Sequence, residues 1–322
     1  MDDDRDVLTG PQQRCACCGG SGSVLHRDLV DPHFGVPGRW TMRRCDDPRC
    51  GLGWLDPQPL RDEIWKLYRN YYTHGEEAGA ADAVPLDDYR THGTKALVKR
   101  VLATLFFWKK PVFATDLLHL QSMTPGRLLE VGCGSGGFLA AAARAGWQAH
   151  GIDFDEKAIA AARRLPGVDA EVADLVQRGF PEGHFDAIVM SNVIEHLPDP
   201  ASVFAECRRV LAPGGRVVMI TPNLDALGHA LMGRHWRGLE TPRHLFLYNV
   251  ATLRRFARGA GFAKVLTFTS PGQGMIEASN EIACAAGKPE LRQDPRTVRR
   301  RTIIRNLFGR ARGEWVVLVA TR

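Results

Sequence analysis

The chain has 322 residues, 44% of them hydrophobic, enough for one large α/β domain with a small added module and a buried core. No apolar run approaches the ~20 residues of a membrane-spanning helix, and the acidic start Asp2-Asp3-Asp4 is the opposite of a basic signal-peptide head. A transmembrane or secreted protein is therefore not expected, and the expected address is cytoplasmic.

The formal charge of +6 is modest but uneven, with eight arginines against one aspartate from Arg292 to Arg312. Such a patch suits phosphates or anionic lipid, or is simply a solvated basic face.

Near the start, Cys15-Ala16-Cys17-Cys18-Gly19 and, about 25 residues on, Cys45-Asp46-Asp47-Pro48-Arg49-Cys50-Gly51 form two knuckles, each followed by glycine. Paired knuckles point to a tetrahedral zinc site, in which four thiolates hold the ion and the glycines let backbone amides turn toward sulfur. Cys15, Cys18, Cys45 and Cys50 are the expected ligands, with Cys17 able to exchange with Cys18. Reduced, unpaired thiols are the competing reading; a disulfide is disfavoured because nothing indicates secretion. A turn at Asp31–Gly35 and a strand at Trp40–Arg44 make the segment a zinc ribbon with little core of its own, folded largely by metal. The knuckles lead into Gly51-Leu52-Gly53-Trp54-Leu55-Asp56-Pro57-Gln58-Pro59. That arrangement resembles the N-terminal ribbon of some bacterial sugar and small-molecule methyltransferases, and residues 1–60 are assigned to such a module.

A helix is expected from Leu60 to the Tyr68-to-His74 stretch, followed by a Gly-, Ala- and Asp-rich loop from Gly75 to Asp88, so residues 61–93 read as helix and linker. Tyr68, Tyr71 and Tyr72 would close over a ligand or, the favoured use, pack against the ribbon. Lys95 to Leu120 is helical by apolar spacing.

From Gly126 strands and helices alternate, which predicts a parallel sheet covered on both faces within a domain spanning 94–322. Strands are expected at Arg127–Val131, Ala149–Ile152, Asp169–Val172, Phe185–Met190 and Arg216–Thr221. The first runs into Gly132-Cys133-Gly134-Ser135-Gly136-Gly137, where glycines permit a tight turn and close approach to a ligand. Gly132-x-Gly134-x-x-Gly137 also fits a dinucleotide fingerprint. Glu130 would oppose a pyrophosphate there and tolerate a ligand carrying an ammonium and a sulfonium. The stretch Leu128-Leu129-Glu130-Val131-Gly132-Cys133-Gly134-Ser135-Gly136 resembles motif I of the class I S-adenosylmethionine (SAM) methyltransferases. The resemblance implies a Rossmann-like seven-stranded α/β sheet whose last strand is antiparallel, with Glu130, Gly132, Gly134 and Gly136 against SAM.

Asp153, about twenty residues beyond the glycines, ends strand two where an acid can accept both ribose hydroxyls; Phe154 follows it, and Asp155 reads as the N-cap of a helix from Glu156 to Arg164. Asp174, with Leu175, falls where the family sets an acid near the adenine amino group. Ser191, also assigned to the cofactor, opens Ser191-Asn192-Val193-Ile194-Glu195-His196-Leu197-Pro198-Asp199-Pro200, which resembles the Glu-His-hydrophobic-Pro-Asp-Pro segment of quinone-biosynthesis-type methyltransferases. Leu211-Ala212-Pro213-Gly214-Gly215 is the family's turn before strand five.

Two insertions are expected. Residues 222–248 carry Trp236-Arg237-Gly238-Leu239-Glu240-Thr241-Pro242-Arg243-His244-Leu245 and are placed to wall a substrate pocket; residues 270–313 lie between a strand at Ala263–Phe268 and a last strand at Glu314–Ala320. A helix is expected at Val250–Ala260.

Methyl transfer needs in-line approach to an activated carbon and, for a hydroxyl or acidic carbon, a base. His196 is the leading base, with a purely structural histidine as the alternative. His244 is the second candidate, oriented by Glu240 if the two share a helical face, and Arg243 is a candidate for an anionic substrate group. The favoured function is O- or C-methylation of a small molecule such as a sugar, glycan or quinol-like metabolite. A nucleic-acid methyltransferase with a zinc reader competes, disfavoured because Ser191-Asn192-Val193-Ile194 is not the Asn-Pro-Pro-Tyr type; a non-catalytic SAM-binding protein is the third reading. Residues 297–312, with Ile303, Ile304, Leu307 and Phe308 on one helical face, pack on the sheet or touch an anionic membrane surface.

Overall fold

The structure, a computed structural model, describes residues 7–69, 116–271 and 274–322. The expected linker at 75–88, Tyr71, Tyr72 and most of the expected helix 95–120 lie outside the described residues.

In the N-terminal part, β1 (Thr9–Gly10) pairs with β5 (Gln58–Pro59), while β2 (Gly22–Leu29), β3 (Trp40–Cys45) and β4 (Gly53–Leu55) form an antiparallel sheet. A 3-10 helix, Arg61–Tyr68, follows. The main domain contributes β6 (Arg127–Val131), α1 (Gly137–Arg144), β7 (Gln148–Asp153), α2 (Glu156–Ala162), β8 (Val168–Val172), α3 (Leu175–Arg178), β9 (Phe185–Ser191), α4 (Pro200–Val210) and β10 (Leu211–Pro222). Then come α5 (Leu227–Met232), β11 (Phe246–Leu247), α6 (Val250–Gly259), β12 (Lys264–Ser270), α7 (Met275–Ala285), α8 (Pro295–Leu307) and β13 (Trp315–Thr321).

The main sheet has seven strands in the order β12-β13-β10-β9-β6-β7-β8, and β13 runs antiparallel to both its neighbours. Strand β6 lies inside this sheet between β9 and β7, which explains its apolar run from Leu128, interrupted only by Glu130. From β6 the chain moves outward through β7 and β8 and then returns to lay β9 on the other side. The crevice beyond the carboxyl ends of β6 and β9 is thus the topological switch point, where open α/β sheets bind ligands.

Capping residues set where the helices start. Asp155 accepts from the amides of Lys157 and Ala158, and Asn249 with Thr252 forms a reciprocal capping box at α6. Strand five is longer than its sequence pattern indicates, since Leu211 already pairs with Phe185 before an irregularity lets the chain resume at Arg216.

The ribbon, expected to have little core of its own, borrows one from the main domain. Strand β11, from the first insertion, adds to its sheet edge through Phe246 opposite Trp54 and Leu247 opposite Gly53. Trp54, Met42, Leu52 and Leu55 are fully buried and belong to the same apolar core as the seven-stranded sheet. A Cβ at Gly22 would fall 2.1 Å from the Trp54 ring, so glycine there makes room for the indole.

Candidate active site

At the carboxyl end of β6, Gly132, Gly134 and Gly136 all have positive φ, of 72°, 50° and 83°. A Cβ on Gly132 would lie 2.4 Å from Val193 Cγ2, so the glycine turn packs directly against the turn that follows β9. Asp153, at the end of β7, ties the neighbouring loops together: one carboxylate oxygen accepts from Gly134 N at 2.9 Å, the other from Asp155 N at 3.0 Å. Each oxygen keeps a lone pair for a further donor. Burial pushes its pKa up. Beneath the turn, Glu130 is 6% exposed and its Oε2 has no hydrogen-bond partner among the described residues. Burial first, and then the charge of Asp153, raise its pKa well above the ordinary carboxylate value. A buried acid left unpartnered suits a cationic group placed above the glycine turn.

Phe154 is largely exposed and meets the Tyr68 ring edge-on at 5.1 Å. Asp174 caps α3 by accepting from Val176 N and Gln177 N, and its second oxygen stands 3.7 Å from Arg61 Nη2. Leu175 is buried behind it, and Ser191 ends β9.

One strand over, the 3-10 turn Ile194–His196 carries Glu195 and His196. Glu195 is fully buried, neither of its oxygens has a hydrogen-bond partner among the described residues, and burial pushes its pKa up to about 8. Thr221 Oγ1, on the next strand, is likewise buried and unpartnered by ordinary geometry, although its hydroxyl draws the Glu195 pKa down somewhat. His196 is only partly buried; its Nδ1 lies 3.0 Å from the Tyr68 hydroxyl and 3.1 Å from the Arg243 carbonyl. The first insertion folds back here because Leu245 N donates to the Glu195 carbonyl at 2.8 Å, which sets His244 beside Glu195 and packs its ring edge-on to His196 at 4.8 Å. His244 is buried, bonds Gly238 O through Nδ1 at 2.9 Å, and has its pKa lowered by burial to about 3. One ligand-type atom from each of Glu195, His196 and His244 lies within 4.8 Å of the others.

Two expectations need correction. Glu240 and His244 stand one turn apart, with His244 N donating to Glu240 O at 3.2 Å, but on an isolated turn and not on a helix, since a 3-10 turn, Arg237–Leu239, ends at Glu240 with φ of +31°. They still approach, Glu240 Oε2 to His244 Nε2 being 3.6 Å, but Glu240 also pairs with Arg237 and Arg243. Arg243 is fully buried and is engaged by Asp31 through Nη1 at 2.7 Å and Nη2 at 3.0 Å, with the guanidinium over the Phe34 ring. Its planar fork holds the ribbon loop in place and is not available for a substrate anion.

In the ribbon, the sulfurs of Cys15, Cys18, Cys45 and Cys50 converge, with Cys15 to Cys50 at 3.6 Å and Cys18 to Cys45 at 3.4 Å. A tetrahedral ion with sulfur at ~2.3 Å needs sulfur–sulfur edges of about 3.8 Å, so this set closes around zinc with a small outward movement. Cys17 lies outside it.

A family model described as a methyltransferase domain matches residues 107–267. The chain belongs to that family. Among its relatives, this methyltransferase is 37% identical over 148 residues to a ubiquinone biosynthesis O-methyltransferase of Thiobacillus denitrificans, covering 42% of this chain and 63% of that protein. It is 40% identical over 123 residues to an uncharacterized 37.1 kDa protein in transposon Tn4556 of Streptomyces fradiae, covering 36% of each chain. These alignments span between about a third and two thirds of the relatives' own length. In fold, the methyltransferase is similar to phosphoethanolamine N-methyltransferase 2 of Haemonchus contortus, solved with S-adenosyl-L-methionine, at a TM-score of 0.50, 17% identity, and coverage of 100% of this chain and 74% of that one.

Sequence reading missed three members of the methyltransferase's site. Glu195 stood in a quoted motif without a role, although a glutamate inside an otherwise buried turn was the available signal. Asp31 and His33, on the ribbon loop, reach the first insertion across some two hundred positions, and no local pattern announces that. His33 Nε2 is buried without a partner among the described residues, and the charge of Arg237 acts on its ring.

Proposed function

We propose that this chain transfers a methyl group from SAM to an oxygen, or an acidic carbon, of a small molecule. In this reading Glu130 faces the SAM ammonium, the turn at Gly132, Gly134 and Gly136 receives the amino-acid part, and Asp153 accepts from the ribose hydroxyls with Phe154 beside it. Asp174 and Leu175 border the adenine, and Ser191 borders the sulfonium side. The family, and a SAM-bound neighbour of the same fold, support this cofactor. Zinc suits the four cysteines as a closed structural site, because four thiolates leave no open position for chemistry.

The observation that carries the reading is the Glu195–His196–His244 cluster, set beside the glycine turn at the switch point. His196, the half-open member, takes the acceptor proton on Nε2, its Nδ1 being held by the Arg243 carbonyl, while His244 and Glu240 shape the wall behind it. The oxygen then attacks the methyl carbon in line, the carbon–sulfur bond breaks, and S-adenosylhomocysteine is left. Among acceptors, a quinol-like compound is favoured over a sugar or glycan by the O-methyltransferase names of the relatives. The test is methyl transfer from SAM to a panel of phenolic, quinol and sugar acceptors. His196→Ala is expected to lower turnover by ~10²–10⁴ with S-adenosylhomocysteine affinity kept; an unchanged rate would remove this cluster from the reaction.

A further inference from the structure

The four converging cysteines of the ribbon have a further thiol beside them. Cys17 sits in the turn at residues 16–18, between two members of the set, where Cys15 N donates to Gly20 O at 2.9 Å and Gly19 N to Cys15 O at 2.8 Å. Cys17 and Cys18 are half-buried, whereas Cys15, Cys45 and Cys50 are buried. Of the two that solvent reaches, only Cys17 is left over from a four-thiolate site. Its sulfur is nevertheless a hydrogen-bond neighbour of Cys50, which comes from the other knuckle. Cys15 and Cys18 are close to it in sequence, and a disulfide to either would close a small ring of strained geometry; Cys50 carries no such restriction. Cys50 is also where the ribbon touches the main domain. Asn249, which caps α6, donates from Nδ2 to the Cys50 carbonyl at 3.2 Å. Next to it Tyr248, fully buried and within electrostatic range of the Cys17 thiol, donates its hydroxyl to Ile194 O at 3.2 Å, at the start of the turn that carries Glu195 and His196.

We propose that Cys17 is an oxidation site, and that its product is a Cys17–Cys50 disulfide formed with release of the zinc that the ribbon cysteines hold. The oxidant is a hydroperoxide. The Cys17 sulfur takes its outer oxygen, the O–O bond breaks, and a sulfenic acid is left together with an alcohol, or water when the oxidant is hydrogen peroxide. The Cys50 thiolate then attacks the Cys17 sulfur, the S–O bond breaks, and hydroxide leaves as the S–S bond forms. Each sulfur has given up one electron and the peroxide has gained both. Cys15, Cys18 and Cys45 alone do not close a tetrahedral site, so the ion is held less tightly and the ribbon loses part of its folding energy. Movement of Cys50 pulls on its contact with Asn249 and, through Tyr248, on the turn before Glu195. The consequence for catalysis rests on the methyl-transfer reading, in which the wall beside His196 loosens and the acceptor is held less well.

The reduced, zinc-loaded full chain is treated with hydrogen peroxide, zinc release is followed with a chromogenic chelator, and the disulfide is mapped by mass spectrometry after thiol blocking. About one zinc per chain is expected to leave as the Cys17–Cys50 bond forms, and dithiothreitol with added zinc should restore the starting state. Cys17→Ser is expected to hold zinc as before and to release it at least ~10-fold more slowly, while calorimetry shows S-adenosylhomocysteine still bound and the variant therefore folded. Release at an equal rate from the variant, a disulfide that leaves Cys17 out, or a folded variant that takes up no zinc overturns the proposal and leaves methyl transfer standing. Disulfide and zinc release as expected, with no methyl transfer from the reduced chain to any acceptor, support the oxidation site and count against the proposed reaction alone.

Discussion

Asp153 does two jobs with one carboxylate, fixing the glycine turn through Gly134 N and its own loop through Asp155 N while presenting the remaining lone pairs at the sheet edge. Asp153→Ala is expected to weaken S-adenosylhomocysteine binding by about 2–4 kcal/mol, as two charge-assisted hydrogen bonds are lost; calorimetry on the folded variant checks it, and unchanged affinity would contradict the ribose assignment. Glu195 makes a statement about pH. Its folded pKa, about 8, lies above the ordinary value of 4.5, so the folded state holds a proton that the unfolded state has released across that window. Stability is therefore highest below 4.5 as far as this group is concerned and falls as pH rises through 8, by about 1.4 kcal/mol per pH unit. His244, lowered to about 3, and His26, lowered to about 4, act oppositely and cost stability as pH falls below 6.5. Glu195→Gln should raise the melting temperature at about pH 8.5 and leave it nearly unchanged at about pH 5, with no divalent ion added. Equal shifts at both pH values would show that the carboxyl is not the titrating group.

Among the elements, α8 departs most from its sequence pattern. The spacing of Ile303, Ile304, Leu307 and Phe308 gives one apolar face whose inward packing is expected, but Ile304 and Phe308 point away, and the helix is seated through Val298 and Thr302, with Val298 in a small cluster with Leu227 and Ile276. Ile304 and Phe308 are left 48% and 80% exposed beside the exposed Arg300, Arg301 and Arg305. Apolar groups flanked by arginines are suited to an anionic membrane surface, where each basic residue contributes ~1 kcal/mol. No helix among the described residues is long and apolar enough to cross a membrane, so contact through α8 would be peripheral. Flotation with anionic and neutral liposomes should show binding to the anionic set alone, reduced by physiological salt; equal behaviour with both would remove the electrostatic membrane contact.

At the scale of the molecule, ribbon and sheet are one body around the site. Strand β11 completes the ribbon sheet, Leu55 N donates to Leu245 O next to His244, and Asp31 grips Arg243 from the ribbon side. Metal in the ribbon should therefore be felt at the acceptor wall. Cys45→Ser is expected to abolish zinc uptake at the proposed four-cysteine site, to loosen the ribbon and to raise the acceptor concentration needed for half-maximal rate, while S-adenosylhomocysteine binds nearly as before. Metal analysis, calorimetry and acceptor kinetics on one preparation test this, and an unchanged acceptor requirement in a zinc-free, folded variant would show that the ribbon does not support the wall.

The part of this protein legible in its sequence is the part built from neighbours in the chain. Strand-turn-helix at Leu128 to Leu139, the acid ending β7, the cap at Asp155, and the paired cysteine knuckles all express local periodicity, glycine conformation or short ligand spacing. The antiparallel last strand followed from resemblance, and the sheet order shows it. Only the tertiary structure could decide what the polar residues of the first insertion face. Arg243, a candidate for a substrate anion by sequence, is buried with Asp31, 212 positions away, supplying both acceptors of its fork. Glu240 and His244 meet across a single i-to-i+4 turn, as their spacing suggests, but only the packed structure shows that Glu240 also pairs with Arg237 and Arg243. Glu195, silent as a motif letter, acquires its chemistry from complete burial beside His244. Burial and long-range pairing are properties of the packed whole, and a linear pattern carries neither.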